Sequence, residues 1–221
     1  MNLRLLQISD SALPIGGYTH SWGLEAALSR RIVHDAATLE SWTRAWLRHS
    51  LAPLEGVIAA SACRCALAGD FPGVRRCQSL LQAMLPVPSV RTASAEMGEQ
   101  LLSLAATWEW SAAGVGRLGE IRGWHHAVVF GLLGALALAS VQDTLAAYFH
   151  QAALGMIGAG VRSVPVNHTH GQQILAYLHV DLSALASQIA GRAPETAGSG
   201  CPFYEVLCDE QTRLYTRLFR S

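Results

Sequence analysis

Apolar side chains recur at three- and four-residue intervals through most of the chain, and strict apolar–polar alternation is nearly absent. That spacing predicts helices and no sheet. From about Asp35 to Ser50, Leu39, Trp42 and Trp46 mark an apolar face while Arg44 and Arg48 face away, an amphipathic helix. Pro53 and Gly56 mark a break or bend, and Leu54 to Leu67 reads as another helix, stopped by Gly69-Asp70-Phe71-Pro72-Gly73. Val74 to Leu85 follows and ends at Pro86-Val87-Pro88. Arg91 to Trp110 is predicted as one long helix, with Leu101, Leu104, Ala105 and Trp108 on one stripe, before a glycine-rich loop from Gly114 to Gly123. Trp124 to Ser140 and Asp143 to Ile157 are apolar all round, which places them at the centre of a bundle. Ser140 and Asp143 supply a start signal for the second of them. Gly171 to Leu178 and Leu182 to Ala190 read as shorter helices. The pattern therefore predicts an all-α, single-domain bundle of roughly eight to ten helices with two very apolar central helices, filling residues 1–190.

The C-terminal region reads differently. Gly191 to Pro202 is rich in Gly, Pro, Ser and Thr, as in a flexible linker. Beyond it Tyr204, Arg213, Leu214, Tyr215, Arg217, Leu218, Phe219, Arg220 and Ser221 form an apolar and guanidinium-rich tail. If the tail is helical, Leu214, Tyr215, Leu218 and Phe219 make one apolar edge. A terminus of this kind docks on something, either its own domain or another protein.

Composition narrows the functions. The 221 residues carry 16 basic and 16 acidic groups, 51% apolar residues and only 14% charged ones. A neutral, apolar chain is neither disordered nor a generic polyanion binder. Such a surface meets a protein partner or a membrane. Every basic residue is arginine. Without lysine there is no phosphate-loop lysine and no Schiff base to pyridoxal phosphate. An odd, sparse set of five cysteines fits a reducing compartment, and Met1 to Leu5 lacks the pattern of a signal peptide, so a cytoplasmic location is expected. The longest apolar run, Ala127 to Val141, has about 15 residues against the ~20 of a membrane span, so it reads as a buried helix.

Candidate chemistry is sparse. Gly114-Val115-Gly116-Arg117-Leu118-Gly119 matches a dinucleotide fingerprint in letters, but no strand precedes it and no acidic residue follows at the required distance. Cys63 and Cys65, two apart on a helix, point away from each other and cannot share an ion. His168 and His170, after Pro165 and read as loop residues, could together bind nickel or zinc, weakly unless a dimer mate adds ligands. His125 and His126 face two sides of a helix start, and His20 reads as a hydrogen-bonded structural residue. No paired carboxylates on one helix face suggest acid–base catalysis.

One segment is more specific. Asp10-Ser11-Ala12-Leu13-Pro14-Ile15-Gly16-Gly17-Tyr18-Thr19-His20-Ser21-Trp22-Gly23-Leu24-Glu25 resembles the opening signature of the UreF family of urease accessory proteins. Three further segments agree in order: Arg91 to Gly98, Val161 to Pro165 with Thr169 and Gly171-Gln172, and Arg217 to Ser221. Locally, Pro14 and Gly16-Gly17 predict a sharp turn, Ser21 a helix cap, and Thr169 with Gln172 a capping box. The resemblance implies a non-catalytic maturation factor without a cofactor. Its implied partners are UreD (UreH in some systems), the GTPase UreG and the urease apoprotein, and it implies a homodimer that binds neither nucleic acid nor membrane. Nickel would be delivered with GTP hydrolysis by UreG, with this chain as scaffold and modulator. The alternative is a direct nickel carrier using His168 and His170. Those two histidines depart from the family's usual Gly-Gln-Thr-Asp-Gly-Gln at Asn167 to Gln172, so a metal role would be particular to this sequence.

Overall fold

The computed structural model describes residues 1–221 and is helical throughout, with no strand. Ten helices run in order: α1 (Leu3–Ile8), α2 (Leu24–Ser29), α3 (Ala36–Leu67), α4 (Phe71–Met84), α5 (Pro88–Ala105), α6 (Glu109–Gly116), α7 (His126–Leu136), α8 (Val141–Val161), α9 (His168–Ile189) and α10 (Pro202–Gln211). They enclose one continuous hydrophobic core.

Helix α7 sits at the centre. From His126 to Ala135 every residue is buried, because α3, α5, α8 and α4 surround it. Its tightest neighbour is the C-terminal half of α3. At Gly131 a β-carbon would lie 2.2 Å from the carbonyl oxygen of Ala59, so only glycine permits this approach. Helix α8 is buried along one face and only half-buried along the other. Its start is fixed as predicted: the Ser140 hydroxyl accepts from the Asp143 amide at 3.0 Å.

Three predicted boundaries shift. Helix α3 does not break at Pro53 but continues for 32 residues through a π-helical stretch, Leu47–Gly56. Proline has no amide to offer the His49 carbonyl four residues earlier. The wide π turn absorbs the defect, and the His49 carbonyl instead accepts the Gly200 amide at 2.8 Å. Two-thirds of the apolar window in this long helix is buried inside the fold, which accounts for its hydropathy. The long helix predicted to Trp110 instead ends at Ala105, and an extended Trp108 (ψ 127°) opens α6. Conversely, α9 is one helix where two were predicted. Its Asp181 is buried rather than breaking the helix, because Arg44 and Arg48 of α3 both bridge to it.

The segment after α9 lies along α3. Arg64 donates to the carbonyls of Ala190 and Arg192, and the Gly198 amide donates to the Pro53 carbonyl at 3.0 Å. Residues 191–201 thus have a defined seat on the domain, with one short helical turn at Pro194–Thr196.

Candidate functional site

The four motif segments are far apart in sequence and meet at one place. After α1, the chain turns at Gly16 (φ +85°), makes a single 3-10 turn at Gly17–Thr19, and enters α2 through Gly23 (φ +80°). At Gly23 a β-carbon would also strike the Cys208 sulfur at 2.9 Å, so both backbone and space demand glycine there. This loop forms a cradle, and the C-terminal tail lies in it.

The Ser221 carbonyl accepts the amides of Ser21 and Trp22 at 2.5 and 3.1 Å. The Ser221 hydroxyl meets His20 Nδ1 at 2.6 Å. The Arg220 amide donates to the Thr19 carbonyl at 2.8 Å. The Glu25 carboxylate accepts the amides of Leu218 and Phe219 at 2.6 and 3.2 Å. Arg220 also pairs with Glu96 of α5 at 3.0 Å. Arg162, from the end of α8, completes the junction. Its guanidinium lies over the rings of Tyr18 (3.7 Å) and Phe219 (4.6 Å), while Nε donates to the Gly158 carbonyl at 3.0 Å. One arginine therefore stacks on a residue of the opening signature and a residue of the tail.

Packing explains why α5 carries its motif. At Gly98 a β-carbon would lie 1.8 Å from the Trp124 carbonyl oxygen, so the helix can close on that segment only with glycine. Glu96, two residues earlier, faces the tail. Burial pushes the His20 imidazole down to about 4, helped by the Arg220 charge beside it, so the ring is neutral at neutral pH.

The tail is not helical. Helix α10 ends at Gln211, and turns carry the chain from Thr212 onward. The expected single apolar edge therefore does not form. Phe219 and Ser221 are buried in the junction, and Leu214 is half-buried. Arg213, Tyr215, Arg217, Leu218 and Arg220 project outward, with Tyr215 fully exposed. Tyr204 lies in the core between Trp42 and Trp46, at ring distances of 6.4 Å to each, and packs inside the domain.

The remaining sequence candidates are placed as follows. His168 and His170 are exposed residues of the first turn of α9, not of a loop. Two positions apart on a helix, they point roughly 200° from each other. The cap of that helix is Asn167, whose side chain accepts the His170 amide at 2.9 Å, and not Thr169. No group of three or more metal-ligating side chains comes together in the chain. Ser21 does not cap α2; its hydroxyl donates to Gln211 at 3.0 Å and ties α10 to the cradle. Cys63 points to Thr144 of α8, whereas Cys65 lies towards Gly73 of α4, so the two thiols do diverge. The Gly114 to Gly119 run straddles the end of α6 and the turn beyond it. The cradle contacts of Glu25, Glu96 and Arg162 were not legible as a site, because each carries its signal only once the fold joins the segments.

This is an all-α protein whose distinctive surface joins its opening signature to its C-terminal tail, through aromatic rings, guanidinium groups and backbone amides. A family model for UreF matches residues 33–179. Over 99% of this chain and 97% of its own length, the urease accessory protein UreF of Cupriavidus necator is 31% identical. The UreF of Cupriavidus taiwanensis is 32% identical over the same shares, and that of Trichormus variabilis 28% identical over 99% of this chain and 95% of its own. The chain belongs to the UreF family of urease accessory proteins. The family model stops short of both ends, but the full-length relatives align across the cradle and the tail.

Proposed function

We propose that this protein serves urease maturation as a non-catalytic scaffold. It binds UreD (UreH), recruits the GTPase UreG to that complex, and helps nickel pass into apo-urease, modulating GTP hydrolysis by UreG. In this reading it works in the cytoplasm, as a homodimer within the assembly, and holds no cofactor of its own. The observation that carries the reading is the convergence of the four family-like segments on one junction. Residues that have no shared local role in four separate elements share a neighbourhood, as an interface requires. Aromatic and arginine side chains dominate such surfaces. Arg213, Tyr215, Arg217 and Leu218 stand out from the junction while Phe219 and Ser221 hold it in place.

The test is co-expression with UreD, UreG and the urease apoprotein, followed by pull-down and a urease assay. The variant Tyr215→Ala/Arg217→Ala/Leu218→Ala changes only exposed side chains. It should keep its melting temperature yet lose UreD or UreG in the pull-down and leave urease unactivated. Full complex formation and full activation by this variant would remove the tail from the proposed interface. Full activation in cells lacking the chain altogether would end the maturation role.

A further inference from the structure

Behind the signature loop a cleft of about 400 Å³ opens between α3, α5 and α8. It follows α8 from Tyr148 to Arg162, a distance of about 20 Å at the helical rise. Gly155 and Gly158 form part of its floor, and a β-carbon built on either meets nothing within 4 Å. The space exists because the sequence places no side chain there.

The inner end of the cleft is polar and incompletely satisfied. Glu55 lies deep on α3 yet keeps partial exposure because it faces the cleft. Its one hydrogen-bond partner is the Tyr148 hydroxyl, at a long 3.5 Å. His126 lines the same end, its ring 5.6 Å from that of Tyr148. It is only 7% exposed, and its Nε2 has no partner. The Ser94 hydroxyl in the cleft wall, on a residue 1% exposed, has none either. Buried polar atoms of this kind ordinarily find a partner. The rest of the wall joins the apolar and aromatic Trp22, Trp46 and Met97 to the polar Asp10, Ser11 and Gln151.

These groups select one chemistry. The carboxylate accepts hydrogen bonds, and a neutral imidazole with Nε2 unprotonated accepts one more, so a ligand that donates more than one satisfies both. The one carboxyl at this end, Glu55, becomes an anion when a cation sits beside it, and aromatic faces favour a cation. One carboxyl and one imidazole make too small a set for a metal ion. Arg162, which would repel a cation, lies at the other end of the cleft, where its guanidinium is taken up by the Gly158 carbonyl and the rings of Tyr18 and Phe219. We propose that the cleft is a binding site for a small primary alkylammonium, its ammonium seated at Glu55, Tyr148 and His126 and its apolar stem laid over Gly155.

The test uses the full-length protein and n-butylammonium, with n-butanol as the neutral probe of the same shape, read by saturation-transfer NMR and titration calorimetry. The amine should bind saturably and about tenfold or more tighter than the alcohol. Glu55→Gln should erase that preference. Gly155→Leu, which fills the floor without touching the polar end, should abolish binding with no fall in melting temperature, and it decides the matter if Glu55→Gln fails to fold. Equal affinity for amine and alcohol, undiminished binding by Gly155→Leu, or no saturable binding of the amine at millimolar concentration would each overturn the proposal.

Discussion

His20 and Ser221, 201 positions apart, share a buried hydrogen bond of 2.6 Å between ring Nδ1 and hydroxyl Oγ. The contact closes the chain on itself, and the stronger part of the closure is in the backbone. The Ser221 carbonyl takes two amides from the loop, while its hydroxyl takes one ring nitrogen. Hydrogen exchange separates the two contributions. Ser221→Ala should leave the amides of Ser21 and Trp22 protected, since the carbonyl remains. Deleting Ser221 should speed their exchange by about tenfold or more, the equivalent of one net backbone hydrogen bond. Equal exchange in the two variants would show that the tail does not hold the loop.

Asp181 joins α9 to α3 through Arg44 and Arg48, and Arg44 has a second carboxylate in Glu40 at 2.6 Å. Asp181→Ala leaves two guanidinium groups facing each other over a buried gap, one of them still paired. The arginines are 31% and 49% exposed, so solvent screens part of the loss. Urea denaturation should show about 2 kcal/mol lost, with an unchanged slope. Asp181→Ala/Arg48→Ala should recover part of that loss. A double variant no better than the single one would assign the effect to packing alone.

The same aspartate shows where sequence reasoning stops. The gap predicted between Leu178 and Leu182 does not exist, and only the partner helix shows how Asp181 is accommodated inside one helix. Pro53 misleads in the same way, because the acceptor it leaves open at His49 is filled by Gly200, far along the chain. What was legible is what local physics decides: the all-round apolarity of α7, the Ser140 cap, the divergence of Cys63 and Cys65. The junction was legible only as four separate segments. Their meeting depends on long-range contacts such as Arg162 over Tyr18 and Phe219, which no periodicity encodes.

His168 and His170 diverge on the first turn of α9, and neither has a third ligand nearby. One chain should therefore hold nickel there no better than isolated surface histidines do. By equilibrium dialysis, His168→Ala/His170→Ala should change nickel affinity of the monomer by no more than about threefold. Tight stoichiometric binding in the parent, lost in the double variant, would mean that two copies pool their histidines and that the chain carries metal itself.

The buried histidines and Glu55 should pull the pH dependence of stability in opposite directions. Burial holds the His126 imidazole down at about 4. The folded state then refuses a proton that the unfolded chain accepts below about 6.5. Stability is lost as pH falls through that window, by about 3 kcal/mol on reaching pH 4. His20 and His125, also held down to about 4 by burial, act in the same direction. Glu55 does the reverse. Burial pushes its carboxyl up to about 7, so the unfolded chain releases a proton above pH 4.5 that the folded chain keeps. Its penalty grows with rising pH and is complete above about 7. Three histidines outweigh one carboxyl, so melting temperatures of the parent should rise from pH 4 and level off above about pH 7. Glu55→Gln should steepen that rise, gaining about 3 kcal/mol at most at pH 8 and under about 1 kcal/mol at pH 5. A variant stabilised equally at both pH values would show that Glu55 is ionised in the fold and that the cleft around it is wetter than its apolar walls imply.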